Sequence, residues 1–155
     1  MKVYTIERRG GLGSVVATVD GQPLRHIIHH SPTGFEFGYG GSGPADLALS
    51  ILADYFGEQP TDKAVYHGRC KCWRPHQDFK WRFISPQQEA SFEITEDEIA
   101  TWMKETGQEV VETIVCDKCH DVMLVDEVVS GNKFGFKTLC FNCCDQLEEA
   151  HSIVA

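Results

Sequence analysis

The chain has 155 residues, 42% of them hydrophobic and 24% charged, with a net charge of −9. This is the composition of a folded globular chain of one ordinary domain, or a domain with a small appendage, and it excludes wholesale disorder. No apolar run approaches the ~18 residues of a membrane-spanning helix, and an acidic chain is poorly suited to neutralising phosphates, so neither a membrane nor a nucleic acid is the expected partner. Seven cysteines, with no apolar leader in Met1–Arg9, point to a reducing compartment and to metal ligation in place of a disulfide framework.

Charge divides unevenly along the chain. Residues 1–107 carry 11 basic and 14 acidic residues, net −3; residues 108–155 carry 3 and 9, net −6. Arg69, Lys71, Arg74, Lys80 and Arg82 fall within fourteen residues and read as a solvated strand-and-loop surface, with a local basic patch as the alternative.

Residues 2–9 and 14–19 flank Gly10-Gly11-Leu12-Gly13 and predict a hairpin with a glycine turn. Leu24–His29 and Phe35–Tyr39 are further β-like runs. After Gly40-Gly41-Ser42-Gly43, Pro44 suits the first helical position, and Leu47, Ile51 and Tyr55 recur at i, i+4 and i+8, so an amphipathic helix is expected from Ala45 to Phe56. Asp78–Ser85 alternates with Phe79, Trp81 and Phe83 on one face, the pattern of a strand. Thr95-Glu96-Asp97-Glu98 has the form of a capping box opening a helix through Lys104, with Ile99 and Trp102 inward and Gly107 as its stop. Residues 108–114 read as a strand or short connector, and Val122–Val129 and Phe134–Leu139 as two strands joined at Ser130–Lys133. The expected fold is α+β: residues 1–107 form a small, mostly antiparallel sheet with two helices, and residues 108–155 form a separate four-cysteine unit.

Cys116-Asp117-Lys118-Cys119 and Cys140-Phe141-Asn142-Cys143 place two Cys-x2-Cys pairs twenty residues apart. Each pair offers two thiolates from one turn, and four close a tetrahedral shell around zinc with no open position, a structural and not a catalytic site. Such a metal would hold together a unit too small for a sufficient core. Knuckle, hairpin and a second pair opening a helix resemble the treble-clef zinc fingers, with a zinc ribbon as the second choice. In that resemblance His120 stands where the knuckle often has glycine, and Cys144 is a competing ligand. His67, Cys70, Cys72 and His76 form a candidate set for a second ion, although Cys-x-Cys lacks the usual knuckle spacing.

Gly40, Gly41, Ser42 and Gly43 run from a predicted strand into a helix, where free N–H groups favour a phosphate or other small anion. The loop lacks the lysine of a Walker motif and the spacing of a dinucleotide fingerprint. Pairing of its flanking segments in one sheet would bring His30, Glu36, His76 and Asp78 toward it, with His30 and His76 as the ligand-facing residues. The segments Ser31–Leu49, with its Gly-Tyr-Gly-Gly-Ser-Gly-Pro-Ala run, and His76–Trp81 resemble a family of small bacterial and phage proteins of unknown function over about residues 25–105. The resemblance implies a cytoplasmic domain borne by phages or mobile elements, with no catalytic residues to carry over, and the cysteine-rich tail is an addition to it.

These features predict a non-enzymatic, zinc-containing interaction protein, a phage or mobile-element factor that engages a host protein. The alternative is a small-ligand binding or sequestering protein that uses the glycine loop for a phosphate or nucleotide. A third reading, a metal-assisted hydrolase using His30, His76 and Asp78, needs an open metal site that four cysteines do not supply.

Overall fold

A computed structural model describes residues 1–11, 14–108, 113–124 and 128–154. The predicted hairpin forms: β1 (Val3–Arg8) pairs antiparallel with β2 (Val15–Val19), with Tyr4 opposite Val19 and Ile6 opposite Ala17. Leu12 and Gly13 of its turn lie outside the described residues. β2 continues through the left-handed Asp20 and Gly21 into the two-residue β3 (Gln22–Pro23). The fourth strand, β4 (Ser91–Thr95), comes from far along the chain and pairs antiparallel with β1, giving the order β3-β2-β1-β4. Tyr4, Ile6, Ala17 and Ile94 alternate with less buried neighbours and turn one face of this sheet into the core.

The expected strands at 24–29 and 35–39 do not form. Both segments are irregular, and they wrap the first helix, α1 (Ser42–Tyr55), instead of joining the sheet. Their apolar side chains Leu24, Ile27, Phe35 and Phe37 still enter the core, which explains the β-like pattern. α1 begins earlier than predicted, with Gly41 as N-cap, so Pro44 is its third residue. It remains within the first turn, where a missing N–H removes no intrahelical bond. Nor is α1 amphipathic: every residue from Gly43 to Ala53 is buried, Asp46 and Ser50 included. It is the central helix of the molecule and not a surface one.

After the short α2 (Asp62–Tyr66), the 78–85 segment departs most from expectation. It is helical, as α3 (His76–Phe79) followed by a single π turn over Lys80–Ile84. Phe79 and Phe83 stand four residues apart, so a helical turn carries both against Trp102, with ring centroids 5.4 and 5.9 Å away. Trp81 points outward, 58% exposed, with the Lys80 ammonium 4.5 Å from its ring centre. Alternating aromatics satisfy both periods when the middle one lies outside.

α4 (Glu96–Thr106) has the predicted capping box. The Thr95 hydroxyl accepts from the Glu98 N–H, the Glu98 carboxylate accepts from the Thr95 N–H, and Gly107 ends the helix in the left-handed conformation. The N–H and hydroxyl of Thr95 hold the Glu98 carboxyl below its usual range. This contribution is therefore present above the ordinary glutamate range and is lost as the pH falls through the depressed one. Thr95→Ala is expected to cost about 1 kcal/mol in urea melts at neutral pH. Its deficit should shrink in acid; a deficit independent of pH would show that Glu98 does not take part.

The C-terminal residues form two small sheets and a helix. β5 (Thr113–Val115) pairs with β6 (Val122–Leu124), and β7 (Val128–Ser130) pairs with β8 (Thr138–Cys140), all antiparallel; α5 (Phe141–Val154) follows directly. The expected strand 122–129 is thus shared between two sheets, and its residues 125–127 lie outside the described residues, as do 109–112 of the connector. A 3-10 turn at Asn132–Phe134 lies within the second hairpin. The architecture is α+β, with a four-stranded antiparallel sheet, several helices and a C-terminal cysteine cluster that could hold a metal. No helix among the described residues is long and apolar enough to cross a membrane.

Candidate metal centre

The β5–β6 pairing places Val115 opposite Val122, so residues 116–121 must close a tight loop. The Cys116 N–H donates to the Asp121 carbonyl and the His120 N–H to the Cys116 carbonyl, both at 2.9 Å. His120 closes the loop at φ 60°, the left-handed conformation that glycine adopts without steric cost. A histidine therefore fills the glycine position of the knuckle by taking the glycine conformation. Asp117 ties this loop to the second hairpin: its carboxylate accepts from the Lys137 and Thr138 N–H groups at 2.9 and 2.8 Å, and its own N–H donates to the Thr138 carbonyl. Cys140, two residues further on, ends β8, and Cys143 lies in the first turn of α5. The knuckle and the helix start are thereby brought face to face. Asp117 was visible in the sequence only as the residue after a cysteine.

The sulfurs of Cys116, Cys119, Cys140 and Cys143 all lie within 4.8 Å of one another, with Cys119 and Cys140 at 3.9 Å. Tetrahedral coordination at a Zn–S distance of about 2.3 Å implies sulfur separations of roughly 3.8 Å, so the cage has the size of a four-thiolate site. Cys116, Cys140 and Cys143 are buried and Cys119 is exposed. The Cys140 N–H points at the Cys116 sulfur and the Cys143 N–H at the Cys140 sulfur, each at 3.4 Å. Burial alone would raise the Cys116 thiol, but the N–H groups of Cys119, Cys140 and Lys118 bring it down to about 6. Burial and the adjacent thiols push Cys143 up to about 12. Four crowded thiols cannot all ionise unaided, and a divalent cation is what allows them to. Cys144 turns its sulfur toward Glu148, 3.9 Å away, and is not one of the four.

The set His67, Cys70, Cys72 and His76 does not gather in this way; among the described residues the Cys116 group is the cluster of potential ligands. The Cys70 and Cys72 sulfurs lie 3.4 Å apart. His76 points elsewhere, its Nδ1 bonded to the Trp73 carbonyl and its Nε2 2.7 Å from the Gln77 amide. His67 lines a cleft with Lys63 and Arg69 that faces His120 and Asp121, where the Lys63 ammonium reaches Asp121 at 2.6 Å.

His30 and His76 do meet, with ring centroids 5.7 Å apart, in a cluster that also holds His29 and Trp73. Burial, with the charges of the neighbouring titratable groups, lowers both titrations. Asp78 instead accepts from Gln108, and Glu36 pairs with Arg8 at 2.7 Å. At the glycine loop, the space a Cβ would need is taken by the Trp81 ring at Gly40, the Tyr39 ring at Gly41 and Glu36 at Gly43. Close packing thus accounts for those three glycines; Ser42 is the exposed first residue of α1. Asp46 escaped the sequence reading. Fully buried, it accepts from the N–H groups of His29, His30 and Ser31 at 3.2, 2.8 and 2.9 Å and so holds the histidine loop on α1. The signal was a lone acid inside the apolar run Ala45–Ala53.

A family of unknown function (DUF6166) matches residues 7–105, close to two-thirds of the chain, and the chain belongs to it. No curated protein and no solved structure matches.

Proposed function

From membership of a family of unknown function whose match ends at residue 105, ahead of the cysteine cluster, we propose that this protein is a non-enzymatic, zinc-containing interaction protein. In this reading residues 1–107 are the family's α+β domain. Residues 108–155 are an added unit resembling a treble clef, held by one zinc on Cys116, Cys119, Cys140 and Cys143. The observation that carries it is the four-sulfur cage, whose donors are complete without a substrate or water position. The net −6 of residues 108–155 gives the unit an acidic exterior suited to a basic protein surface and unsuited to nucleic acid. A cytoplasmic phage or mobile-element setting with a host-protein partner belongs to the same proposal, and rests on the resemblance of the 31–49 and 76–81 segments. The small-anion alternative at Gly40–Gly43 is the second reading: Gly40 and Ser42 are exposed there, while the Trp81 ring, the Tyr39 ring and Glu36 fill the space beside Gly40, Gly41 and Gly43.

Native mass spectrometry of the full chain should show one zinc per protomer; another metal, or none, refutes the zinc assignment. Metal-loaded protein should capture a host protein from bacterial lysate. Charge reversal at the exposed Asp145 and Glu149 should abolish that capture without loss of zinc. Capture unchanged by these substitutions, or absent from the unaltered protein, would refute the interaction role.

A further inference from the structure

We propose that Cys70 and Cys72 form a redox modification site, a dithiol that a hydroperoxide converts into an intrachain disulfide. The two sulfurs stand 3.4 Å apart, inside ordinary van der Waals contact and closer than the roughly 3.8 Å spacing of thiolates sharing a tetrahedral zinc. The separation suits a bond to each other better than a bond to a common ion, and no third ligand joins them among the described residues. A disulfide requires approach to about 2.05 Å. The segment that carries them is irregular, a bend at Cys70 followed by turns up to α3, so no regular helix or strand has to break for the sulfurs to close.

The surroundings distinguish the two thiols. Glu58 clamps the turn by accepting the N–H groups of Lys71 and Cys72 at 2.8 and 3.0 Å, which puts a carboxylate beside Cys72. The Cys72 thiol donates to Cys70, and this hydrogen bond, with burial and the Glu58 charge, holds it far above the usual thiol range. Cys70 is the acceptor of the pair. Both thiols are buried, but Cys70 lines a cavity of about 140 Å³, shared with Arg69, Pro60 and Val122, and Cys72 does not. A small peroxide has room to reach Cys70, and Arg69 lies along the same wall. Cys70 is thus the attacking sulfur and Cys72 the resolving one.

The chemistry balances without a cofactor. The Cys70 sulfur attacks one peroxide oxygen, the O–O bond breaks, and the departing hydroxide or alkoxide takes the Cys70 proton, leaving a sulfenic acid. The Cys72 sulfur then attacks the Cys70 sulfur. The S–O bond breaks, and hydroxide leaves with the Cys72 proton as water. Two thiols are oxidised by two electrons and the peroxide is reduced by two. Trp73, whose N–H donates to the Cys70 carbonyl and whose ring packs on His29 and His76, carries the change to the histidine cluster.

The test treats the full metal-loaded protein with hydrogen peroxide at doses that leave its metal content unchanged, and maps the fragments by mass. The fragment spanning residues 70–80 should lose two hydrogens, refuse alkylation and recover both thiols with dithiothreitol, with a parallel fall and recovery of Trp73 fluorescence. In Cys72→Ser the sulfenic acid should persist on Cys70 and be trapped by a cyclic 1,3-dione, whereas Cys70→Ser should give no adduct at Cys72. Thiols still alkylatable after treatment, a link from either cysteine to another residue, or trapping at Cys72 would overturn the proposal. The mapping on unaltered protein decides the matter even if a serine variant fails to fold.

Discussion

Chelation of the proposed metal from the 155-residue chain is expected to unfold residues 113–154 while the four-stranded sheet stays folded. The reason lies in what each part buries. The N-terminal core joins Tyr4, Ile6, Leu47, Ile51, Phe79, Ile99 and many others in one cluster. In the C-terminal cluster the buried residues are Cys116, Met123, Leu139, Cys140, Cys143 and Cys144, with Ile114, Phe134, Phe136 and Leu147 half-buried against them, so among the described residues four of the six buried are cysteines. Two buried aliphatic side chains supply only about 3–6 kcal/mol. Ordering some forty residues costs several times that, and structural zinc, with an apparent binding free energy of about 10–16 kcal/mol, is of the size to offset the deficit. Hydrogen exchange should therefore show lost protection in β5–β8 and α5 and retained protection in β1, β4 and α4. Cys116→Ser and Cys140→Ser should reproduce this. Cys119→Ser should be milder, because its exposed corner lets water take the fourth position. Acid acts in the same direction: with its thiol brought down to about 6, Cys116 contributes thiolate stability that is present at higher pH and lost as the pH falls through that value. Metal release should accordingly increase as the pH falls. Simultaneous loss of protection in β1 and β4, or none in α5, would contradict the two-core account.

Signals confined to a few consecutive residues carried from sequence to structure. The Thr95–Glu98 box, the β1–β2 hairpin and the two Cys-x2-Cys pairs each specify their geometry within four to twenty residues, and each forms. The failures share a cause. Phe79, Trp81 and Phe83 alternate like a strand, but the partner that decides their conformation is Trp102, nineteen or more residues away. The runs 24–29 and 35–39 look β-like because they are half buried, but they meet α1 through Ile27 and Ser50 and the sheet through Phe37 and Phe92 without pairing as strands. Burial pattern reports contact with a core without reporting which element supplies it. Asp46 belongs to the same class: its meaning depends on a loop fifteen residues upstream.

Asp46 is where the largest single-residue effect on the N-terminal core is expected. Its carboxylate is inaccessible to solvent, and its two oxygens serve four groups. Oδ1 accepts from the His30 N–H; Oδ2 accepts from those of His29 and Ser31 and faces the His26 Nε2 at 3.3 Å. Three backbone donors of an irregular loop thus have their acceptor in one side chain of the central helix. Asp46→Ala removes it and leaves those donors desolvated or forces the loop away, at a cost of about 3–5 kcal/mol. Asp46→Asn keeps one oxygen and sets an NH₂ against the remaining N–H groups, so it should cost nearly as much despite its matched shape. Ser50→Ala offers a comparison on the same helix, because its hydroxyl accepts a single N–H, from Ile27, and should cost only about 1–2 kcal/mol. Urea melts of the three variants order these costs. A loop released from α1 also takes His30 off His76, so the His76 ring resonances should move in Asp46→Ala and stay in place in Ser50→Ala. Asp46→Ala within about 1 kcal/mol of the unaltered protein would mean that the loop finds other acceptors, and that α1 does not anchor the histidine cluster.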